Sequence, residues 1–362
     1  MNAVAGTRFH ALTIADIRRE TPEAVSLALR PPPGAEALFR FRPGQYLTLR
    51  RMAEGEEVRR SYSICSGLDD GELRIGIKLV PGGVFSGWAH AEARVGDPVD
   101  AMPPEGRFVL DPDPAAPPRT VLGIACGSGI TPVLGIARSL LSREPGSRFV
   151  LLYGNRSGAD IMFREAVEDL KDRHVARFSV LHVLSRERQE LDALHGRLDA
   201  ARIAALLPGL VAPGEVAEAF LCGPTGFAEG ARTALEGLGL DPARIHVEHF
   251  AAGTPATARR PVPAAPDAPA VATLTVTAEG VTRTVPMAEG ETVLEAGLRA
   301  GLDLPWSCRN GMCCTCRAKV AEGAVAMDAN YSLQPWETEA GYVLTCQSRP
   351  RSDRLTVDYD AA

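Results

Sequence analysis

Four cysteines near the end of the chain restrict its possible folds more than any other sequence feature. Cys308, Cys313 and Cys316 follow a C-x4-C-x2-C pattern, and Cys346 comes after a further 29 residues. This spacing is typical of [2Fe–2S] ligands, because three thiolates from one tight loop and a fourth from a distant segment can converge on two irons. Zinc is the alternative metal, but structural zinc sites usually show two C-x2-C pairs and this block contains one. The additional thiol, Cys314, is assigned no ligand role.

The rest of the composition predicts a cytoplasmic redox protein. Eight cysteines in a 362-residue chain without an apolar N-terminal segment favour metal or redox chemistry over disulfides. No stretch approaches the roughly 18–20 apolar residues that a membrane helix requires, so we expect no membrane partner. The net charge of −6 argues against nucleic acid as a partner, because phosphate binding requires a basic surface.

Two strand patterns divide most of the chain. Short β-like runs separated by turn signals are typical of a small antiparallel barrel, and they lie at 44–49, 61–64, 73–77 and 107–110. From about Arg119, apolar strands alternate with helical segments, which predicts a parallel α/β sheet; the expected strands are 121–125, 149–153, 178–184, 219–222 and 245–250. We therefore predict a barrel domain over 1–113 and an α/β domain over 114–250.

Residues 251–270 separate these domains from the last block. The segment contains only Ala, Pro, Arg, Thr, Gly, Val and Asp, so it is predicted to be a linker, with a surface loop as the alternative. Beyond it, the runs on either side of Glu279-Gly280 predict a β-hairpin, and Thr292 with Glu295 predicts a capped helix. Residues 271–362 are therefore expected to form a third domain around the cysteines.

A motif in the predicted barrel, Arg60-Ser61-Tyr62-Ser63, resembles the R-x-Y-S motif of the ferredoxin–NADP reductase family. The resemblance implies that Arg60 meets the flavin pyrophosphate, Tyr62 stacks on the isoalloxazine ring and Ser63 approaches N5. A guanidinium pairs bidentately with phosphate and an aromatic ring covers a flat cofactor, so the residue types fit these roles. The resemblance extends to Gly83 and Ser86, as a second pyrophosphate contact at a helix start. The implied flavin is FAD, with FMN as the alternative.

A glycine-rich loop opens the predicted α/β domain. The sequence Cys126-Gly127-Ser128-Gly129-Ile130-Thr131-Pro132 lies between an apolar strand and a helix, which is the context of a dinucleotide-binding loop. Its two glycines would permit close approach of a pyrophosphate, and the proline suits a first helical turn. The predicted cofactor contacts in this loop are Gly127, Gly129, Thr131 and Pro132.

Two further segments match the same family. Cys222-Gly223-Pro224 follows a later strand, and Glu248 lies near the end of the domain. The resemblance implies that Gly223 and Pro224 contact the cofactor, and that Cys222 and Glu248 lie beside the nicotinamide and flavin N5. The predicted catalytic residues are therefore Ser63, Cys222 and Glu248. One departure is Phe227, where related chains usually have Met.

The choice of nicotinamide depends on the ends of the second and third strands of the α/β domain. Arg156, Ser185 and Arg186 lie there, and in this family such a Ser-Arg pair implies binding of the 2′-phosphate of NADPH. Cations that face a phosphate dianion make electrostatic sense. NADH is the alternative, with Glu187 as the acidic residue for the ribose hydroxyls, and solvated arginines are the non-functional interpretation.

The cysteine block, 304–316 together with 341–346, resembles a plant-type ferredoxin, which implies an α+β β-grasp fold. The order flavin, nucleotide, ferredoxin is similar to that of oxygenase reductases, and the segments 59–66, 153–156 and 327–333 resemble reductase subunits of ring-1,2-phenylacetyl-CoA epoxidases. The resemblance implies electron transfer from NADPH through FAD and the cluster to an oxygenase component with a di-iron centre. The alternatives are a reductase for another aromatic-ring or steroid hydroxylase, and a flavin reductase whose ferredoxin block senses redox state or docks.

Overall fold

The structure is a computed structural model that describes residues 9–250 and 270–361. The described residues form two compact units: the larger contains 10–58 and 62–250, and the smaller contains 270–361 with Phe9 and Arg59–Ser61. The predicted linker at 251–270 lies outside the described residues, except that Ala270 begins a strand. Within the described ranges, no helix is long and apolar enough to cross a membrane.

A six-stranded sheet forms the first part of the chain. Its elements are β1 (His10–Thr21), β2 (Ala24–Arg30), β3 (Tyr46–Ala53), β4 (Glu56–Ser63), β5 (Leu73–Lys78), the helix α1 (Val84–Ala91) and β6 (Pro98–Ala101). The strand order is β4-β3-β6-β1-β2-β5, so β4 and β5 are the edges. An antiparallel bridge between Ile64 and Ile75 joins these edges and closes the sheet into the predicted barrel.

The predicted strand at 107–110 is wrong. Phe108 and Leu110 are buried, but residues 107–110 form no strand, and the preceding segment pairs with Tyr46 only through Glu105. Two prolines precede Glu105 and lack the N–H group that a ladder needs, and Gly106 has φ of +112°. These residues explain why an apolar run packs into the core without pairing.

A five-stranded parallel sheet with helices follows the barrel. Its elements are β7 (Thr120–Cys126), α2 (Ile130–Arg143), β8 (Arg148–Asn155), α3 (Arg164–Arg173), β9 (Phe178–Leu184), α4 (Ala200–Leu206), β10 (Val216–Pro224), α5 (Thr225–Gly237) and β11 (Ile245–Phe250). All four pairings are parallel, in the order β11-β10-β7-β8-β9. The order reverses between β7 and β10, and ligands of such sheets bind at the carboxyl ends of the strands at this point.

Two glycines allow the barrel and the parallel sheet to pack closely within the larger unit. A methyl group on Gly135 of α2 would lie 2.9 Å from the carbonyl oxygen of Ile64, just after β4. A methyl group on Gly76 of β5 would lie 2.5 Å from Cγ2 of Thr131 and 2.9 Å from the ring of Phe163. Any larger residue at either position would therefore separate the two domains.

The smaller unit contains a mixed sheet and two short helices. Its elements are β12 (Ala270–Ala278), β13 (Val281–Ala288), α6 (Val293–Arg299), β14 (Arg317–Glu322), β15 (Val325–Met327), α7 (Pro335–Glu339), β16 (Tyr342–Leu344), β17 (Ser348–Pro350) and β18 (Arg354–Asp358). The main sheet has the order β13-β12-β18-β14-β16, with β12 and β18 parallel, and β15 pairs with β17. The predicted hairpin is confirmed: Glu279 and Gly280 both have positive φ, of 51° and 72°, as a two-residue primed turn requires.

The capping box is also confirmed. The Thr292 side chain accepts from the N–H of Glu295, and the Glu295 side chain accepts from the N–H of Thr292, so both ends of the box are satisfied. The helix starts at Val293 and buries Val293 and Leu294 against the sheet core. This helix leads into the loop with the first three predicted cluster ligands.

Candidate functional site

The glycine loop lies at the switch point of the parallel sheet. Gly127 has φ of +55°, a backbone conformation that favours glycine. A methyl group on Gly129 would lie 2.1 Å from the carbonyl oxygen of Cys222, at the end of β10. The Thr131 hydroxyl donates to the carbonyl of Ser128 at 2.9 Å, so it holds the loop against the first turn of α2. The loop therefore presents the N-terminus of α2 at the point where a dinucleotide phosphate would bind.

The end of β10 shows why Phe227 is accommodated. Gly223 lies over the Phe227 ring, and a methyl group on Gly223 would come within 2.6 Å of it. Pro224 ends β10 and is the residue before α5, so it fixes the turn into that helix. The aromatic residue at 227 therefore packs beneath the predicted cofactor contacts.

The three predicted catalytic side chains meet in the larger unit. Cys222 and Glu248 are register partners on the neighbouring strands β10 and β11. The Ser63 hydroxyl donates to Oε2 of Glu248 at 3.1 Å, and Sγ of Cys222 lies 3.9 Å from the same oxygen. Residues 185 positions apart in sequence therefore form one hydrogen-bonded group.

Burial sets the protonation of this group. It raises the pKa of the Glu248 carboxyl to about 7, although the hydrogen bonds from Ser63 and Cys222 act in the opposite direction. Burial, reinforced by the neighbouring Glu248 carboxyl, raises the pKa of the Cys222 thiol well above its usual value. The site thus combines a neutral thiol with a carboxyl that can exchange a proton near neutral pH.

The predicted flavin residues occupy strand β4 and helix α1. The Tyr62 ring packs against Phe85, with centroids 5.5 Å apart. Arg60 is two residues earlier on β4 and donates to the backbone carbonyl of Arg59 at 2.7 Å. Gly83 is the residue before α1, and the Ser86 hydroxyl accepts from the N–H of Val80 at 3.1 Å. This contact closes the loop before α1 so that the first-turn amides point outward.

The residues predicted to choose the nicotinamide differ in their partners. Arg156 forms ion pairs with Glu23, at 2.6 Å, and with Asp160. Arg186 has an exposed side chain, and its N–H donates to the carbonyl of Arg156 at 2.7 Å. The acidic alternative, Glu187, accepts from the N–H of Gly158 at 2.6 Å. An exposed cation and a hydrogen-bonded carboxylate therefore lie next to each other at the end of β9.

One functional candidate escaped the sequence analysis. Lys78 ends β5, and a methyl group on Gly127 would lie 3.7 Å from its Nζ. A lysine at a strand end gives no sequence signal, because only the packing of the barrel on the parallel sheet brings it to the glycine loop. Its ammonium group is placed to meet a phosphate that binds at this loop.

The four predicted cluster ligands lie in two pairs in the smaller unit. Cys308 hydrogen-bonds with Cys313, and Cys316 hydrogen-bonds with Cys346. In each pair the donated hydrogen bond lowers the pKa of one thiol, Cys308 and Cys346 respectively. Among the described residues, no three His, Cys, Asp or Glu side chains converge as they would on a single metal ion. Two pairs fit two irons that each take two thiolates, and they fit one tetrahedral zinc ion poorly.

Backbone and side-chain donors surround the thiols. The N–H of Asn310 lies 3.4 Å from Sγ of Cys308, and Nε2 of Gln347 lies 3.7 Å from Sγ of Cys346. Gly311 has φ of +74° and its backbone bonds to Cys346. Cys314 also has positive φ, of 58°, and packs against the hydrophobic core of the unit. The loop is therefore shaped to hold a sulfur-rich anionic group, with donors that would tune its potential.

Three family models match the chain. The oxidoreductase FAD-binding domain matches residues 19–110, the oxidoreductase NAD-binding domain matches 124–233, and the 2Fe-2S iron-sulfur cluster binding domain matches 276–351. These matches confirm the predicted cofactors: FAD, a nicotinamide dinucleotide and a [2Fe–2S] cluster.

Similar proteins span nearly the whole chain. A component of the 1,2-phenylacetyl-CoA epoxidase of Escherichia coli K12 is 43% identical and covers 98% of this chain and 99% of its own. The ferredoxin reductase component of 3-ketosteroid-9-alpha-monooxygenase from Mycobacterium tuberculosis is 36% identical, with coverage of 96% and 95%. The crystal structure of phthalate dioxygenase reductase superposes with a TM-score of 0.60 at 23% identity, covering 97% of this chain and 98% of its own. At that identity the structure bears on the fold alone, and it confirms the predicted three-part architecture.

Proposed function

Because the chain belongs to the family of oxygenase reductases that includes the matching component of the Escherichia coli epoxidase, we propose that it supplies electrons from NADPH to the oxygenase subunits of a phenylacetyl-CoA 1,2-epoxidase. It is an NAD(P)H-dependent iron–sulfur flavoprotein oxidoreductase. The observation that supports this partner is the 43% identity over 98% of the chain. The proposed oxygenase contains a di-iron centre, and the proposed compartment is the cytoplasm, where thiols stay reduced.

The redox chemistry belongs to the cofactors, since FAD takes a hydride from NAD(P)H and a [2Fe–2S] cluster passes on single electrons. The residues of the chain bind and orient them. We assign Arg60, Gly83 and Ser86 to the flavin pyrophosphate and Tyr62 to the isoalloxazine ring. The closed loop before α1 supports this role, because its amides are free of helical partners and point outward.

The nicotinamide cofactor is proposed to bind across the switch point of the parallel sheet. Its pyrophosphate would meet the amides around Gly127 and Gly129 and the ammonium of Lys78, and the proposed neighbours of its nicotinamide end are Gly223 and Pro224. Thr131 and Pro132 hold the first turn of α2 in place. The tight fit of Gly129 against Cys222 supports this arrangement, because it brings the phosphate loop beside the catalytic group.

NADPH is the proposed donor, selected by Ser185 and Arg186. The support is that Arg186 is exposed while the competing carboxylate, Glu187, already accepts from a backbone amide. Arg156 remains a predicted contact, but its two ion pairs already balance its charge. We therefore expect Arg186 to make the larger contribution.

Ser63, Cys222 and Glu248 are proposed to act where hydride passes between the cofactors. The Glu248 carboxyl can hold or release a proton near neutral pH, because burial raises its pKa to about 7. The Ser63 hydroxyl fixes one oxygen of that carboxyl. The buried, neutral Cys222 thiol fills space and excludes water from the nicotinamide face.

The cluster is proposed to be held by Cys308 with Cys313 on one iron and Cys316 with Cys346 on the other. The paired thiols support this assignment. The proposed domain limits are 1–113 for the flavin barrel, 114–250 for the nucleotide domain, 251–270 for a linker and 271–362 for the ferredoxin domain. Each family match falls within one of these ranges.

Reconstitution tests the proposal. Oxygenase subunits of a phenylacetyl-CoA epoxidase, mixed with this protein, NADPH and O2, should convert phenylacetyl-CoA to its 1,2-epoxide. The control is the same mixture with the Cys346→Ser variant, which should stay inactive. If the subunits turn over with another reductase but not with this one, the assigned partner is wrong.

A second partner has support of its own. The 36% full-length identity to the 3-ketosteroid-9-alpha-monooxygenase reductase makes a steroid hydroxylase the alternative. Oxygenase components of that enzyme belong in the same assay as a parallel arm. Stopped-flow reduction separates both partners from a sensing or docking module, because in a relay NADPH reduces the flavin and then the cluster.

A further inference from the structure

We infer that Trp88 of α1 and Arg51 of β3 form the binding surface for the adenine of FAD, and that this surface makes the chain select FAD over FMN. The inference rests on the proposed function, in which the flavin binds at Tyr62 and the start of α1. FAD and FMN share the isoalloxazine ring and the first phosphate, so only residues that meet the adenosine half can distinguish them.

An aromatic series leads from the proposed flavin ring position to this surface. The Tyr62 ring lies 5.5 Å from Phe85, and Phe85 lies 5.4 Å from Trp88 in an edge-on arrangement. Phe85 is 1% exposed, but Trp88 is only partly buried, at the outer end of the series. A planar surface is therefore present beyond the flavin ring site, where the far half of the cofactor must extend.

The helix places this ring beside the expected pyrophosphate. Gly83 precedes α1, and a methyl group on it would lie 2.6 Å from Oγ of Ser86, so the loop is compact at the outward-pointing amides. Trp88 follows the first turn of the helix, and helical side chains lean back towards the N-terminus. Its indole therefore covers the turn whose amides would bind the pyrophosphate, and the adenosine of FAD is joined directly to that group.

Arg51 supplies the second part of the surface. Its guanidinium carbon lies 4.9 Å from the centre of the Trp88 ring. The adjacent Arg50 instead pairs with Glu57 and Asp100, at 3.4 Å and 2.9 Å. A guanidinium beside an indole offers both a stacking face and hydrogen-bond donors, which suit a purine with its ring nitrogens.

Binding of the two flavins to the full-length chain tests the inference. Flavin-free protein is titrated with FAD and, separately, with FMN, and quenching of flavin fluorescence gives both dissociation constants. Trp88→Ala should weaken FAD binding roughly tenfold or more and leave FMN binding unchanged, while Trp88→Phe should restore most of the FAD affinity. The matched control is Met52→Ala, since Met52 is the neighbour of Arg51 on β3 and is 60% exposed; it should change neither affinity.

Each other outcome overturns a defined statement. Equal losses of FAD and FMN affinity would show that Trp88 only supports the helix, and unchanged FAD affinity would show that adenine binds elsewhere. If Trp88→Ala does not fold, Arg51→Gln provides the test, and it should weaken FAD binding but not FMN binding. A wild-type chain that binds both flavins equally well contradicts this inference alone, whereas one that binds neither contradicts the proposed function.

Discussion

Burial gives one residue, Glu248, a proton affinity suited to neutral pH. Its pKa is raised from 4.5 to about 7, so the folded protein holds this proton over a pH range in which the unfolded chain has released it. The resulting contribution to the free energy of unfolding is complete below about pH 4.5 and is lost as the pH rises through about 7. The wild-type protein should therefore lose stability between these values.

Glu248→Gln removes this titration. The variant should gain stability relative to wild type when the pH is raised from 5.5 to 8, as measured by chemical denaturation at both values. Glu190→Gln, at an exposed position, is the control and should show no such gain. A variant whose pH dependence matches the wild type would mean that Glu248 does not titrate in this range.

Lys78 is the residue for which the structure adds most to the sequence. We expect Lys78→Ala to raise KM for NADPH roughly ten- to hundredfold with little change in kcat, because a charge-assisted phosphate contact contributes about 1.5–3 kcal/mol to ground-state and transition-state binding alike. Steady-state kinetics with saturating electron acceptor measure this split. Lys319→Ala, in the C-terminal domain, controls for loss of a positive charge; a fall in kcat alone would contradict the assigned role.

The sequence predicted residues whose role depends on local pattern, and it missed those whose role depends on distant neighbours. The cysteine spacing and the hydrogen bond of Ser63 to Glu248 follow from recognisable motifs. The position of Lys78 beside Gly127 and the pairing of Arg156 with Glu23 depend on tertiary packing. No periodicity or motif contains that information.

The ends of the parallel strands decide which nicotinamide binds. Arg186, after β9, is exposed, and Arg156, after β8, is paired with two carboxylates. Arg186→Ala should therefore lower kcat/KM for NADPH roughly ten- to hundredfold, because one charge-assisted bond to the 2′-phosphate is lost. The measurement is steady-state kinetics with both dinucleotides; equal losses with NADH would refute the assignment, since NADH has no 2′-phosphate.

The cysteine loop and the segment after β16 should act as one binding element. Changing any of the four paired cysteines, Cys308, Cys313, Cys316 or Cys346, to serine should remove the visible absorbance of the cluster and leave flavin reduction by NADPH intact. Cys314→Ser is the matched control and should keep the cluster, because Cys314 packs against the hydrophobic core. The reverse result for Cys313 and Cys314 would require a different ligand set.

Element prediction succeeded where apolar periodicity was uninterrupted. The strand expected at 178–184 is β9 itself, and the helix expected after Thr131 is α2. It failed at 107–110, where buried apolar residues follow two prolines and pairing stops at Glu105. Apolar patterns report burial, and only the available N–H groups decide whether a buried segment joins a sheet.

At the scale of the whole molecule, charge predicts how the ferredoxin domain meets its partner. Residues 271–362 contain twelve Asp and Glu against eight Lys and Arg, which favours docking on a basic oxygenase surface. Electron delivery to the oxygenase should fall as salt rises from about 50 to about 500 mM, because screening weakens the encounter. Hydride transfer from NADPH to the flavin, followed by stopped flow in the same buffers, should change less; equal sensitivity of both steps would rule out electrostatic docking.

The two glycines at the contact between the barrel and the parallel sheet limit how such chains can be recombined. Gly135 lets α2 lie against the backbone at Ile64, and Gly76 leaves room for Thr131 and Phe163. A chimera that joins this barrel to a nucleotide domain with a bulkier residue at the position of Gly135 would hold its two cofactors further apart. The barrel and the nucleotide domain should therefore be exchanged together in engineered reductases, with the crossover placed outside the pair.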